Sequence, residues 1–78
     1  MDIDKVQKKL EELGTVRTLE EKNNKLFISI NNVTPSTELM LRFLEIYNDE
    51  VYDTYNTEEA IANDGTSLKA IYYNIPGE

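Results

Sequence analysis

Seventy-eight residues allow one small domain, 1–78, and no more. The chain has no Cys, no His and no Trp, which closes off disulfide frameworks, zinc fingers, haem and blue-copper sites, and catalytic triads built on His or Cys. The formal charge is −7, and residues 35–78 carry the whole imbalance, with nine acids against Arg42 and Lys69. Direct binding to nucleic acid or to an anionic membrane is therefore not expected, because both need cations against phosphate.

Residues 3–13 predict an amphipathic helix. Ile3, Val6, Leu10 and Leu13 fall on one helical stripe, Asp2 or Asp4 caps the start, and Gly14 is expected as a left-handed terminator. Residues 15–21 and 25–31 predict a β-hairpin. Leu26, Ile28 and Ile30 alternate with Phe27, Ser29 and Asn31, while Val16 and Thr18 share one face and Arg17 and Leu19 the other. Asn23-Asn24 supplies the turn, since Asn tolerates positive φ.

Thr34-Pro35 reads as a helix start, with Thr34 as cap and Pro35 in the first helical position. That helix is expected to run to about 48–52, with Leu39, Met40, Phe43, Leu44, Ile46, Tyr47 and Val51 inward and Glu38, Arg42, Glu45 and Asp49 in water. Residues 51–56 admit two readings, a short strand or a helix extension followed by a loop. Thr57–Ala62 reads as one or two helical turns capped by Thr57, and residues 63–67 as a turn. Residues 68–75 predict a strand with Ile71, Tyr73 and Ile75 on one face and Leu68, Ala70 and Tyr72 on the other, ended by Pro76-Gly77.

The order α-β-β-α-(β)-β predicts an α+β two-layer sandwich: an antiparallel sheet of three or four strands with two helices on one face.

Catalytic patterns are weak. Ser29, Ser36 and Ser67 have no His to activate them, and Ser36 and Ser67 sit in capping and turn contexts. The acidic doublets Glu11-Glu12, Glu20-Glu21, Asp49-Glu50 and Glu58-Glu59 diverge in space on a helix or strand. A calcium loop around Asn63-Asp64-Gly65 fails, because its first and third ligand positions fall on Ala60 and Ala62. Gly14, Gly65 and Gly77 are isolated, so no phosphate-binding loop exists. No catalytic residue, metal or cofactor is expected, and the chain reads as non-enzymatic.

One stretch stands out. From Glu45 to Asp64 there are seven acids (Glu45, Asp49, Glu50, Asp53, Glu58, Glu59 and Asp64), no base, and the interleaved tyrosines Tyr47, Tyr52 and Tyr55. Carboxylates at such spacing imitate a row of phosphates, and tyrosines supply flat amphipathic anchors. The expected partner is another protein with a basic surface. The sharper form is an inhibitor or regulator occupying a nucleic-acid-binding groove, a strategy found among viral counter-defence proteins. The alternative is a structural subunit that self-associates as a homodimer through an edge strand or an open sheet face bearing Phe27 and Tyr72. Met1-Asp2-Ile3-Asp4 has neither a basic nor an apolar leader region, so a cytoplasmic setting is expected, that of the host cell for a viral chain.

Overall fold

Asp2 opens the first helix. Its carboxylate accepts from the backbone N–H groups of Asp4 and Lys5 at 3.1 and 3.2 Å, satisfying two donors that a helix start leaves free. Helix α1, Ile3–Glu11, buries Val6 and Leu10 completely. These and the following features come from a computed structural model that describes residues 1–74. The predicted Ile75 position and the Pro76-Gly77 terminator lie outside the described residues.

Strands β1, Thr15–Lys22, and β2, Lys25–Asn31, form the expected hairpin. Asn23 and Asn24 both have positive φ, 53° and 62°, which is the requirement of a type I′ turn. The faces of β1 differ from simple alternation. A bulge between Val16 and Thr18 places Val16 opposite Ile30 and Leu19 opposite Ile28. Both apolar residues of β1 therefore share the inner face, and Thr18 is turned outward opposite Ser29.

Asn32 then turns left-handed, with φ 59°, and its side-chain amide donates to the Thr15 hydroxyl at 3.0 Å. Helix α2, Thr37–Ile46, starts two residues later than expected. Ser36, not Thr34, is the cap, with its Oγ accepting from the Leu39 N–H at 3.1 Å. Ser36 has the extended backbone of a cap, φ −164° and ψ 163°, so the helix begins after it and Pro35 stays outside.

After α2 the chain widens into a π turn, Tyr47–Val51, marked by the Tyr52 N–H donating to the Tyr47 carbonyl at 2.9 Å. This settles residues 51–56 as helix extension followed by loop. Thr57–Ala62 is not helical. It belongs to strand β3, Thr57–Asp64, which pairs with β4, Ser67–Tyr73. Gly65 takes φ 59° at the first central position of that two-residue hairpin loop.

The sheet is fully antiparallel with order β1-β2-β4-β3. Leu26 faces Tyr72, Ile28 faces Ala70, and Ile30 faces Leu68 across the central pair. These six residues, all buried, point at the helices and pack with Val6, Leu10, Leu39, Phe43 and Val51. The result is the expected α+β sandwich with four strands. Register also corrects Tyr72. It is 1% exposed and belongs to the core, so it is not offered by the open face. The residues left there are Phe27, Ile71 and Tyr73, all half-buried.

The Tyr72 hydroxyl is buried without a hydrogen-bond partner among the described residues. A buried unpaired polar group costs about 1–3 kcal/mol. Tyr72→Phe is accordingly expected to raise stability by about 1 kcal/mol or more. Urea denaturation measures it, and a loss of stability would show that the hydroxyl makes a native bond.

Candidate functional site

The acidic stretch is built on three supports: the end of α2, the π turn, and edge strand β3. On a regular helix, residue 47 would sit over 50 and 51. The π turn instead brings Tyr52 beside Tyr47, with the rings edge-to-face at 6.0 Å. Tyr47 stacks in turn on Tyr72 at 4.2 Å and 20°. Its hydroxyl donates to the Tyr55 carbonyl at 3.1 Å. A column of three aromatic rings thus runs from the core to the surface. It ends in Tyr52, which at 54% is, among the described residues, one of two large exposed apolar side chains, the other being Leu41 at 57%.

Tyr55 does not serve as a surface anchor. It is 7% exposed, and its hydroxyl donates to the Glu21 carboxylate on β1. Burial, then the Glu21 hydrogen bond, push that hydroxyl up to about 12. Burial also raises Tyr47, with Tyr52 and Glu58 adding, which places Glu58 of β3 within electrostatic reach of the column.

The seven acids divide. Glu45 is exposed at the end of α2, Asp49 in the π turn, Asp53 just beyond it, and Glu58 on β3. None of the four forms an ion pair among the described residues. Glu45, Asp49 and Asp53 succeed one another in sequence at intervals of four residues, and Asp49 and Asp53 bracket Tyr52 along the chain.

Glu50 is different. Its side chain is 13% exposed and points at α1, where Lys9 approaches to 2.9 Å and Lys5 to 3.5 Å. Glu59, displaced by a bulge between Glu58 and Ala60, pairs with Lys25 at 2.6 Å. Asp64 closes β3, six residues beyond Glu58, a strand length of about 20 Å. Asp64 therefore stands well apart from the acids at the other end of the strand. Among the described residues no three carboxylates converge tightly enough to share an ion. The expected continuous row is therefore broken at Glu50, at Glu59 and before Asp64.

A cleft between the helices carries mixed charge. Lys9, Glu12, Arg42, Glu45 and Asp49 line a depression of about 220 Å³ over Leu13 and Ile46. The hydrogen bond to Glu50 raises Lys9 above its ordinary value despite partial desolvation, and Glu50, Asp49 and Glu12 add charge attraction. Glu50 is lowered in return, first by the Lys9 hydrogen bond, against desolvation, with Lys5 and Lys9 charges adding.

A carboxylate lowered in the folded state contributes stability that is fully present above its unfolded value, about 4.3 for Glu. That contribution is lost as pH falls through the folded value. Glu50→Gln is therefore expected to flatten the acid limb of the stability profile below about pH 4.3. Denaturant midpoints across the acid range measure this. An unchanged limb would show that the pair is not maintained in solution.

The open sheet face carries a second depression, about 260 Å³, lined by Thr18, Phe27, Ser29, Lys69 and Ile71 with Ile28 and Ala70 at its floor. No described element covers it. Among the described residues, no helix is long and apolar enough to cross a membrane.

Comparison with known proteins finds no matching family model, no matching curated protein and no matching solved structure.

Proposed function

We propose that this chain is a non-enzymatic, acidic, intracellular protein-binding module whose partner presents a basic surface. The observation that carries the reading is Tyr52. A large aromatic side chain is exposed, yet held edge-on against Tyr47 and flanked in sequence by the unpaired acids Asp49 and Asp53. A preordered aromatic loses little conformational freedom on binding, and tyrosine is enriched at the energetic centres of interfaces. Surrounding carboxylates speed encounter with a basic partner and repel acidic ones.

The proposed contact residues are Tyr52, Glu45, Asp49, Asp53 and Glu58. Glu50 and Glu59 serve internal ion pairs, and Tyr55 holds the fold together. With Asp49 and Asp53 bracketing Tyr52 in sequence and Glu58 in electrostatic reach of Tyr47, the charge supports one aromatic anchor with nearby acids better than a long imitation of a phosphate row. An inhibitor covering a basic nucleic-acid-binding site would use that patch as a plug.

The test is capture of partners from the native host at low and high salt, with charge-reversed baits. Retention is expected to fall steeply with salt. Reversal of Glu45, Asp49 and Asp53 together should abolish it, while reversal of Glu11 on α1 and Glu20 on β1, both exposed and outside the cleft that holds Glu45 and Asp49, should leave it intact. Tyr52→Ala is expected to weaken binding about 30-fold or more, the effect of losing an interface anchor. Equal losses from both charge sets would reject the patch.

A second reading is self-association through the open sheet face, favoured by the uncovered depression beside Phe27 and Ile71. It predicts a salt-tolerant dimer that Phe27→Asp disrupts. Sedimentation over a range of concentrations decides it, and a monomer throughout removes it.

A further inference from the structure

We infer that the free edge of β3 receives an extended segment of the partner, added to the sheet as a fifth strand, with basic residues at the segment's two ends. The inference deepens the protein-binding reading above and rests on it.

The sheet order leaves two edges, β1 and β3. Each directs alternate backbone N–H and C=O groups away from its one neighbour, where no described strand receives them. β1 is poorly suited to accept a strand. It is bulged after Val16 and carries Arg17, Glu20, Glu21 and Lys22, charges of both signs along its length. Such features are how edge strands resist pairing.

β3 lacks this protection over half its length. Its bulge is confined to the Glu58–Ala60 step. From Ala60 to Asp64 it stays in one-to-one register with β4, from Ala60 opposite Ile71 to Asp64 opposite Ser67. Ala60, Ile61, Ala62 and Asn63 carry no charge, and the two alanines, both exposed, put no bulk in the way of an incoming strand.

Charge identifies the occupant. The uncharged run is flanked by Glu59, which is paired with Lys25, and by Asp64; of the acids near its two ends, Glu58 and Asp64 form no ion pair among the described residues. A second copy of this chain is a poor fit. Pairing 60–63 antiparallel with itself brings Glu58 or Glu59 of one copy opposite Asp64 of the other, twice by symmetry, and like charges directly opposed are destabilising. A segment with lysine or arginine at both ends meets attraction at the same positions. Lys69, opposite Ala62 one strand inward, disfavours a further base in the middle of the segment on the open face. The recognised chemistry is therefore an extended strand, basic at its ends and uncharged between.

The experiment titrates the full chain with an acetylated, amidated heptapeptide, Lys-Lys-Val-Thr-Val-Lys-Lys, followed by amide NMR and hydrogen exchange. Expected are shifts centred on 60–64 and slowed exchange of alternate β3 amides. A peptide with glutamate in place of every lysine should bind about tenfold more weakly or worse. N-methylation of alternate peptide amides should abolish binding, because backbone pairing is then blocked. The chain variant Glu58→Lys with Asp64→Lys, changed only at exposed positions, should reverse the preference between the two peptides.

Shifts confined to 45–53 would overturn the inference while leaving the protein-binding reading standing. Undiminished binding of the N-methylated peptide, or no β3 shift at about 1 mM peptide, would overturn it as well. Sedimentation showing a dimer that Asp64→Lys strengthens would assign the edge to a second copy instead. Loss of partner capture on reversing Glu45, Asp49 and Asp53 is measured separately, so the two readings fail independently.

Discussion

Phe43→Ala is expected to cost about 3–5 kcal/mol, the range for removing a buried aromatic ring. Phe43 is 1% exposed and belongs, on α2, to the apolar cluster that joins both helices to the sheet. A chain of 78 residues has a total stability of about 4–12 kcal/mol. The substitution therefore consumes a large share of it, and at the lower end unfolds the protein. Chemical denaturation followed by circular dichroism measures the loss. A cost under about 1 kcal/mol would mean that α2 is not docked on the sheet as described.

Gly14→Ala is the second large effect, and its cause is different. The sequence pattern suggested a left-handed helix terminator at Gly14. Among the glycines of the described residues, however, only Gly65 has positive φ, so conformational freedom is not what Gly14 supplies. It supplies room. A Cβ there would stand 2.5 Å from the Asn31 carbonyl oxygen and 2.6 Å from Val33 Cγ1. The carbonyl belongs to the backbone at the end of β2 and has little freedom to retreat. The α1–β1 junction and the end of β2 must move apart, at a cost of about 2–3 kcal/mol. Gly65→Ala makes the useful contrast, since its Cβ would meet nothing within 4 Å and only the positive φ opposes it. Equal destabilisation at both positions would reject the close-approach account.

Much of the architecture was legible in local pattern. The helical stripe of α1, the alternation of β2, the Asn-Asn turn and the long apolar face of α2 each follow from periodicity and turn chemistry. Thr57–Ala62 departs from the helical expectation for a physical reason. Glu and Ala are good helix formers and Thr is a good cap, so the local preference is helical. Pairing with β4 outweighs it, and no local pattern reports a partner strand. Tyr72 departs from its expected place on the open face because β4 is apolar on both faces. Alternation separated Tyr72 from Ile71 and Tyr73, but only the register opposite Leu26 decided which set points inward.

The same division holds for the candidate site. Composition established that the chain is acidic, that its second half holds the excess, and that the side chains most used for catalysis near neutral pH are missing. Three-dimensional packing decided which of those acids are free. Glu50 is held by Lys9 from 41 residues away, and Tyr55 is tied to Glu21 across 34. Contacts at that separation depend on how helix and sheet dock, which no run of neighbouring residues encodes by itself. The π turn that presents Tyr52 likewise became visible only through a backbone hydrogen bond made once the helix was seated.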